Sequence, residues 1–337
     1  MRRLLLRSAL VRSRSLLLAV LSVLYSACGT SEADRNGFDD PSKPDKSDAG
    51  VSGPSGSPSG TFGNDAGDAS PPPGNDDGCS AEAKRVYVVG ANDNALYSFE
   101  PDKLKFTRIG VIDCGNVDPA FKNREPHSMA VDRDGTAWVN MGDPGSGRLF
   151  KVSTKDASCA ASSYSSGSPW ASVGMGFSSD SAGAEKDTLF LLSHSGAGIA
   201  KVDGTTMQVT PIGKPTGEFA SKRGELTGSG EGKLYGFFFN ATDKPMMLAE
   251  VDKSNGATTK VIDVQQTAPS AGVTSYAVSY WGGDFWFYYA TGGAPSRVIR
   301  YKAATDKSQE VAMTDVGGFR ITGAGVSTCA PTVPVIK

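Results

Sequence analysis

The chain carries only two histidines, His127 and His194. An imidazole can ligate a divalent cation or move a proton near neutral pH, so the residues able to join these two define the chemistry to look for. Glu125 lies two positions before His127, and Glu225, Asn140, Asn240 and Arg320 supply a further carboxylate, two amides and a guanidinium. Brought to one place, such groups could bind a divalent cation such as calcium, or a polar ligand. Stronger signatures are absent: there is no G-x-S-x-G elbow, phosphate-binding G-x-x-x-x-G-K loop, H-E-x-x-H or strand-to-helix G-x-G-x-x-G. Asp132-Arg133-Asp134-Gly135 opens like a calcium loop but lacks the later ligands, and reads as a hairpin turn. Asn92-Asp93-Asn94 likewise reads as a turn.

Five cysteines are present, and no two have the spacing of a zinc site. Cys28 stands apart in the leader. Cys79, Cys114, Cys159 and Cys329 then suggest two disulfides and an oxidising compartment.

The elements that must position these residues repeat. Ser128–Asn140 reads as a strand, an Asp-Gly turn and a second strand. Arg148–Val152 and Cys159–Tyr164 follow as a third and fourth. Weaker copies begin near 174, 226, 277 and 321, a spacing of roughly 48 residues that matches one propeller blade. Residues 85–113 supply only three strands, whereas Ile321-Thr-Gly-Ala-Gly copies Leu226-Thr-Gly-Ser-Gly and has nothing after it. The fold expected is therefore all-β, a single β-propeller of five four-stranded blades, the first closed by the C-terminal strand at 320–328. Cys79 and Cys329 would then flank antiparallel neighbours and pair. Cys114 and Cys159 pair by elimination, although a simple register places them at opposite ends of neighbouring outer strands. In such a ring, first-strand starts and second-strand ends share one channel mouth, where Glu125, His127, Asn140, His194, Glu225, Asn240 and Arg320 would gather. The aromatic runs Phe237–Phe239 and Phe285–Tyr289 read as core. Trp170 and Trp281, near turns, are the better candidates for exposed stacking, with packing the safer reading even there.

The Met129–Asn140 stretch resembles repeats of NHL and SMP-30/gluconolactonase-like propellers, where M-A-V-D-x-x-G-x-x-W-V recurs. That resemblance implies a propeller. It also implies a metal-assisted hydrolase or lactonase, although the matching phrase covers scaffold strand and places none of that family's metal ligands here. The alternative, preferred on these residues, is a non-catalytic module binding a protein, glycan or small ligand.

The N-terminal part sets the location. Residues 1–28 hold five arginines and no acid, followed by the apolar run Leu16–Leu24, too short to span a membrane but suited to a signal peptide. Tyr25-Ser26-Ala27-Cys28 resembles a bacterial lipobox, with Tyr25 where Leu or Val is usual, which implies lipidation at Cys28. The combination with an acidic tether also resembles lipoproteins of myxobacteria. Residues 29–78 are acidic, with a charge of −7, and 34 of their 50 positions are Gly, Pro, Ser or Asp. Such a segment cannot bury enough surface to order itself and reads as a tether. The whole-chain charge is −2 and the leader carries +5, so residues 79–337 are neutral. That leaves no electrostatic footprint for nucleic acid. The expectation is an exported, monomeric propeller domain at 79–337, held to a membrane of the bacterial cell envelope by its lipid, in the periplasm or at the cell surface.

Overall fold

The computed structural model describes residues 78–143, 145–240, 244–268 and 272–335; the expected signal peptide, Cys28 and all but the last residue of the expected tether lie outside them. The first hairpin shows why the chain folds as it does. In β1 (Val86–Gly90) every residue is buried, because its two faces serve two cores. Val86 and Val88 pack toward the last blade and Tyr87 and Val89 toward the second. A strand buried on both faces must read as a continuous apolar run. β2 (Ala95–Glu100), buried along nearly its whole length, and β3 (Lys105–Val111), exposed or half-buried throughout, continue the sheet outward.

The second blade is β4 (Pro126–Val131), β5 (Ala137–Asp143), β6 (Ser146–Val152) and β7 (Cys159–Ser166). The third is β8 (Val173–Ser179), β9 (Asp187–Ser193), β10 (Ile199–Val202) and β11 (Val209–Gly213). The fourth is β12 (Arg223–Gly228), β13 (Leu234–Phe239), β14 (Met247–Val251) and β15 (Thr258–Ile262). The fifth is β16 (Val273–Trp281), β17 (Asp284–Thr291), β18 (Arg297–Tyr301) and β19 (Gln309–Met313). β20 (Ile321–Val326) then pairs antiparallel with β1, so the first sheet runs β20-β1-β2-β3. Five four-stranded antiparallel blades form a five-bladed β-propeller, closed as expected. Each of the five spaces between neighbouring blades holds its own apolar cluster.

The innermost strands approach so closely that side chains are excluded from parts of them. A Cβ on Gly174 would lie 2.1 Å from the Gly224 carbonyl oxygen, and one on Gly323 2.9 Å from Ser128 Cα. The alternating small residues of β8 and β20 are therefore a condition of ring closure.

Both disulfides form. Cys79 and Cys329 have Cα atoms 5.9 Å apart, and Cys114 and Cys159 are 5.3 Å apart. The conflict over the second pair came from treating the blades as flat. Strand twist accumulates from the axis outward, and it brings the end of β3 to the turn before β7. A Cβ on Gly110 would meet the Asp156 carbonyl at 2.9 Å. The aromatic runs are core as expected, with only Phe239 half-buried. Trp170 packs as well, buried in the cluster between the second and third blades, as the safer reading of it had it. Trp281 is half-buried and donates from Nε1 to the Lys84 carbonyl at 2.9 Å.

Candidate functional site at the channel mouth

The innermost strands β4, β8, β12, β16 and β20 all begin at one end of the ring, and the polar residues there are set by strand register. Glu225 is the second residue after the β12 start and points into the centre, where it is 3% exposed. Ser128 of β4 donates its hydroxyl to Glu225 Oε2, spanning from the second blade to the fourth. Ser128 Oγ accepts in turn from the Met175 amide of β8 at 3.1 Å. Burial pushes the Glu225 carboxyl well above the usual range, and the bonds from Ser128 and Met175 only partly counter it. Tyr276 of β16 stacks on Phe239, ring centroids 5.3 Å apart, and its hydroxyl is pushed up by burial and by the neighbouring Glu225.

His194, just past β9, has both ring nitrogens engaged. Nε2 lies 3.1 Å from the Gly224 carbonyl and Nδ1 3.1 Å from Ser172 Oγ. A carbonyl can only accept, so Nε2 carries the proton and Nδ1 accepts from the serine. Burial lowers this imidazole to about 4, and the charges at Arg223 and His127 add to the effect. Its Nε2 is 3.9 Å from Glu225 Oε1. Burial disfavours the charged form of each and both are hydrogen-bonded elsewhere, which argues against a strong ion pair here.

The other expected residues divide. His127 is half-buried on β4 and gives its Nε2 hydrogen to the Gly142 carbonyl. Asn140 is buried and bonded to backbone through every polar atom: Nδ2 donates to Arg148 and Ala171 carbonyls at 3.3 and 3.2 Å, and Oδ1 accepts from the Val173 amide at 3.3 Å. Arg320 reaches Asn92 Oδ1 at 2.7 Å and the Gly292 carbonyl at 3.5 Å, linking loops of the first and fifth blades. Glu125 is exposed and Asn240 half-buried. Among the described residues no three His, Cys, Asp or Glu side chains converge to hold a metal ion. The donor set thus does not fit the metal centre that the SMP-30 resemblance implies.

Ser128 and Tyr276 escaped sequence reasoning. Their signal was the period-2 alternation of the innermost strands, which puts Ser128 on the same face as Ala130. A second polar cluster, at the other end of the ring, was also missed. Asp187 accepts from Ser179 Oγ at 2.9 Å and from Thr328, with Arg133 Nη1 3.5 Å away. Lys253 donates to Ser178 Oγ at 3.2 Å and to the Ser179 and Asp180 carbonyls. These groups bind one another beside the Cys79–Cys329 bridge and serve to lock the ring.

No protein-family model and no curated protein matches the chain. Solved structures do. A protein of unknown function from Bacteroides caccae is 10% identical over 72% of this chain and 97% of its own, with a TM-score of 0.41. Regucalcin, a calcium-binding protein from Agrobacterium tumefaciens, is 11% identical over 73% and 75%, with a TM-score of 0.36. The Dos1 propeller is 14% identical over 74% and 71%, with a TM-score of 0.38. At such scores the propeller assignment rests on this chain's own strand pairing.

Proposed function

We propose that the protein is an exported, lipid-anchored propeller that acts as a non-catalytic binding module for an extracytoplasmic ligand. One observation carries the choice over a hydrolase: the groups at the channel mouth that chemistry would need are already spent on the scaffold. His194 has no free lone pair to take a proton or ligate a cation, since Nε2 donates to Gly224 and Nδ1 accepts from Ser172. Glu225 is buried and held by Ser128. The anchor would be the diacylglycerol on Cys28, with residues 29–78 as an acidic tether spanning on the order of 40 Å as a flexible coil. The domain would work as a monomer.

The test is elemental analysis of the purified mature protein, followed by lactone and ester hydrolysis with and without a chelator. We expect no stoichiometric metal and no turnover above buffer. Chelator-sensitive hydrolysis that follows the protein through purification would replace this reading with the lactonase one.

A further inference from the structure

We infer that the groove between the fourth and fifth blades is a binding site for a neutral oligosaccharide; this deepens the binding-module reading and rests on it. The groove encloses about 420 Å³, within the size range of small-molecule sites. Its origin is local. Where β8 meets β12, glycines bring the backbones together. Where β12 meets β16 the bridge is a side chain, Thr227 Oγ1 accepting from the Tyr280 amide at 3.1 Å. The strands outside that bridge diverge and leave the groove open.

Its floor is aromatic: Tyr235, Tyr280, Phe285 and Tyr301. Tyr235 and Tyr280 have ring centroids 5.4 Å apart, and each packs on Phe285 at 4.9 Å. Burial alone would explain apolar rings here, but not hydroxyls on three of them. The hydroxyls of Tyr235, Tyr280 and Tyr301 have no protein hydrogen-bond partner among the described residues. The rim carries both signs, with Lys260 and Lys307 beside Asp263, and none of these three forms an ion pair among the described residues.

The chemistry of the occupant follows. A purely apolar ligand would leave the tyrosine hydroxyls and the rim charges unpaired. A strong anion would meet Asp263, and also Glu250, which is already paired with Lys233 at 2.6 Å. A sugar ring offers C–H faces for aromatic surface and hydroxyls that both donate and accept. It therefore answers phenol, ammonium and carboxylate together.

The experiment is calorimetric titration of the mature protein with maltohexaose, cellohexaose, chitohexaose and xylohexaose. Tyr280→Ala, Tyr301→Phe and Asp263→Asn are run alongside, each checked for an unchanged thermal melt. At least one sugar should bind, with about tenfold weaker affinity in Tyr280→Ala and a smaller loss in Asp263→Asn. Should Tyr280→Ala misfold, Tyr301→Phe removes one hydroxyl and keeps the ring, so it still reports on the groove. No binding by any sugar, or binding that all folded variants retain unchanged, overturns the site. These outcomes are separate from the hydrolysis assay: a silent panel with no turnover removes the sugar site and leaves the binding module standing.

Discussion

Asp132 holds the best-formed turn of the ring together. Its carboxylate accepts from the amides of Asp134 and Thr136 at 3.1 and 2.9 Å and from Trp138 Nε1 at 2.8 Å. Asp132→Ala would leave the indole N–H buried without its partner, at a cost of about 2–3 kcal/mol, measurable by urea unfolding at pH 7. That this segment is a turn was legible from Asp-Gly alone. That its acid also satisfies a buried tryptophan was not, since the pairing depends on the depth of the strand in the ring. His194 gives a pH signature of definite sign. Its folded value of about 4 lies below the unfolded 6.5, so the unfolded chain binds the proton first and stability falls as pH drops through that window. Asp132, raised to about 6 by burial, acts in the opposite sense, and so does Glu225. These acids offset the loss from His194 in the wild type. His194→Asn removes one side of the balance: between pH 7 and pH 4.5 it should gain about 2–3 kcal/mol relative to wild type. Parallel pH profiles for the two proteins would mean that His194 titrates normally.

At the scale of the strand, the ring depends on what is missing from it. Gly174→Ala drives a methyl into the Gly224 carbonyl. It should cost about 3 kcal/mol or more, at the upper end of overpacking in a closed core. Gly293→Ala, with open space around its Cβ, should be nearly silent in the same thermal melts. The hairpins of the second blade and the closing strand were readable in advance. Asp-Gly turns and the copied Leu/Ile-Thr-Gly-x-Gly phrase are local signals. The Cys114–Cys159 contact was not readable, because twist is a property of a whole sheet and no short segment encodes it. The mouth residues fall between these cases. Register placed Glu225 and His194 at one end of the ring and they do meet, but whether a polar side chain faces a ligand or a backbone carbonyl is decided by neighbours from other blades. Asn140, which pins the start of β8, makes the point.

For the molecule as a whole, two cross-links matter, the proposed one to the membrane and the disulfide within the ring. Lipidation predicts that the mature protein begins at a modified Cys28 and partitions with membranes, while Cys28→Ser is released in soluble form. Mass spectrometry of the N-terminus and detergent phase separation read this directly, and membrane partition of Cys28→Ser would rule it out. The Cys79–Cys329 bridge spans 250 residues of sequence. Its removal by Cys79→Ser/Cys329→Ser should lower stability by up to about 5–6 kcal/mol in the chain-entropy account, read as a drop in the urea midpoint.

Closure by β20 also imposes an order in time. Synthesis delivers β1 early and its inner partner last, so blades two to five can assemble while the first still lacks an edge. An exposed strand edge recruits other strands, and contacts this distant in sequence form slowly. A chain cut short before residue 321 would therefore not be a slightly smaller propeller. It would be an unlatched one, inclined to stick to copies of itself. For the exported chain proposed above, threaded across a membrane before it folds, that lateness is an advantage, since nothing can snap shut until the final strand has come through.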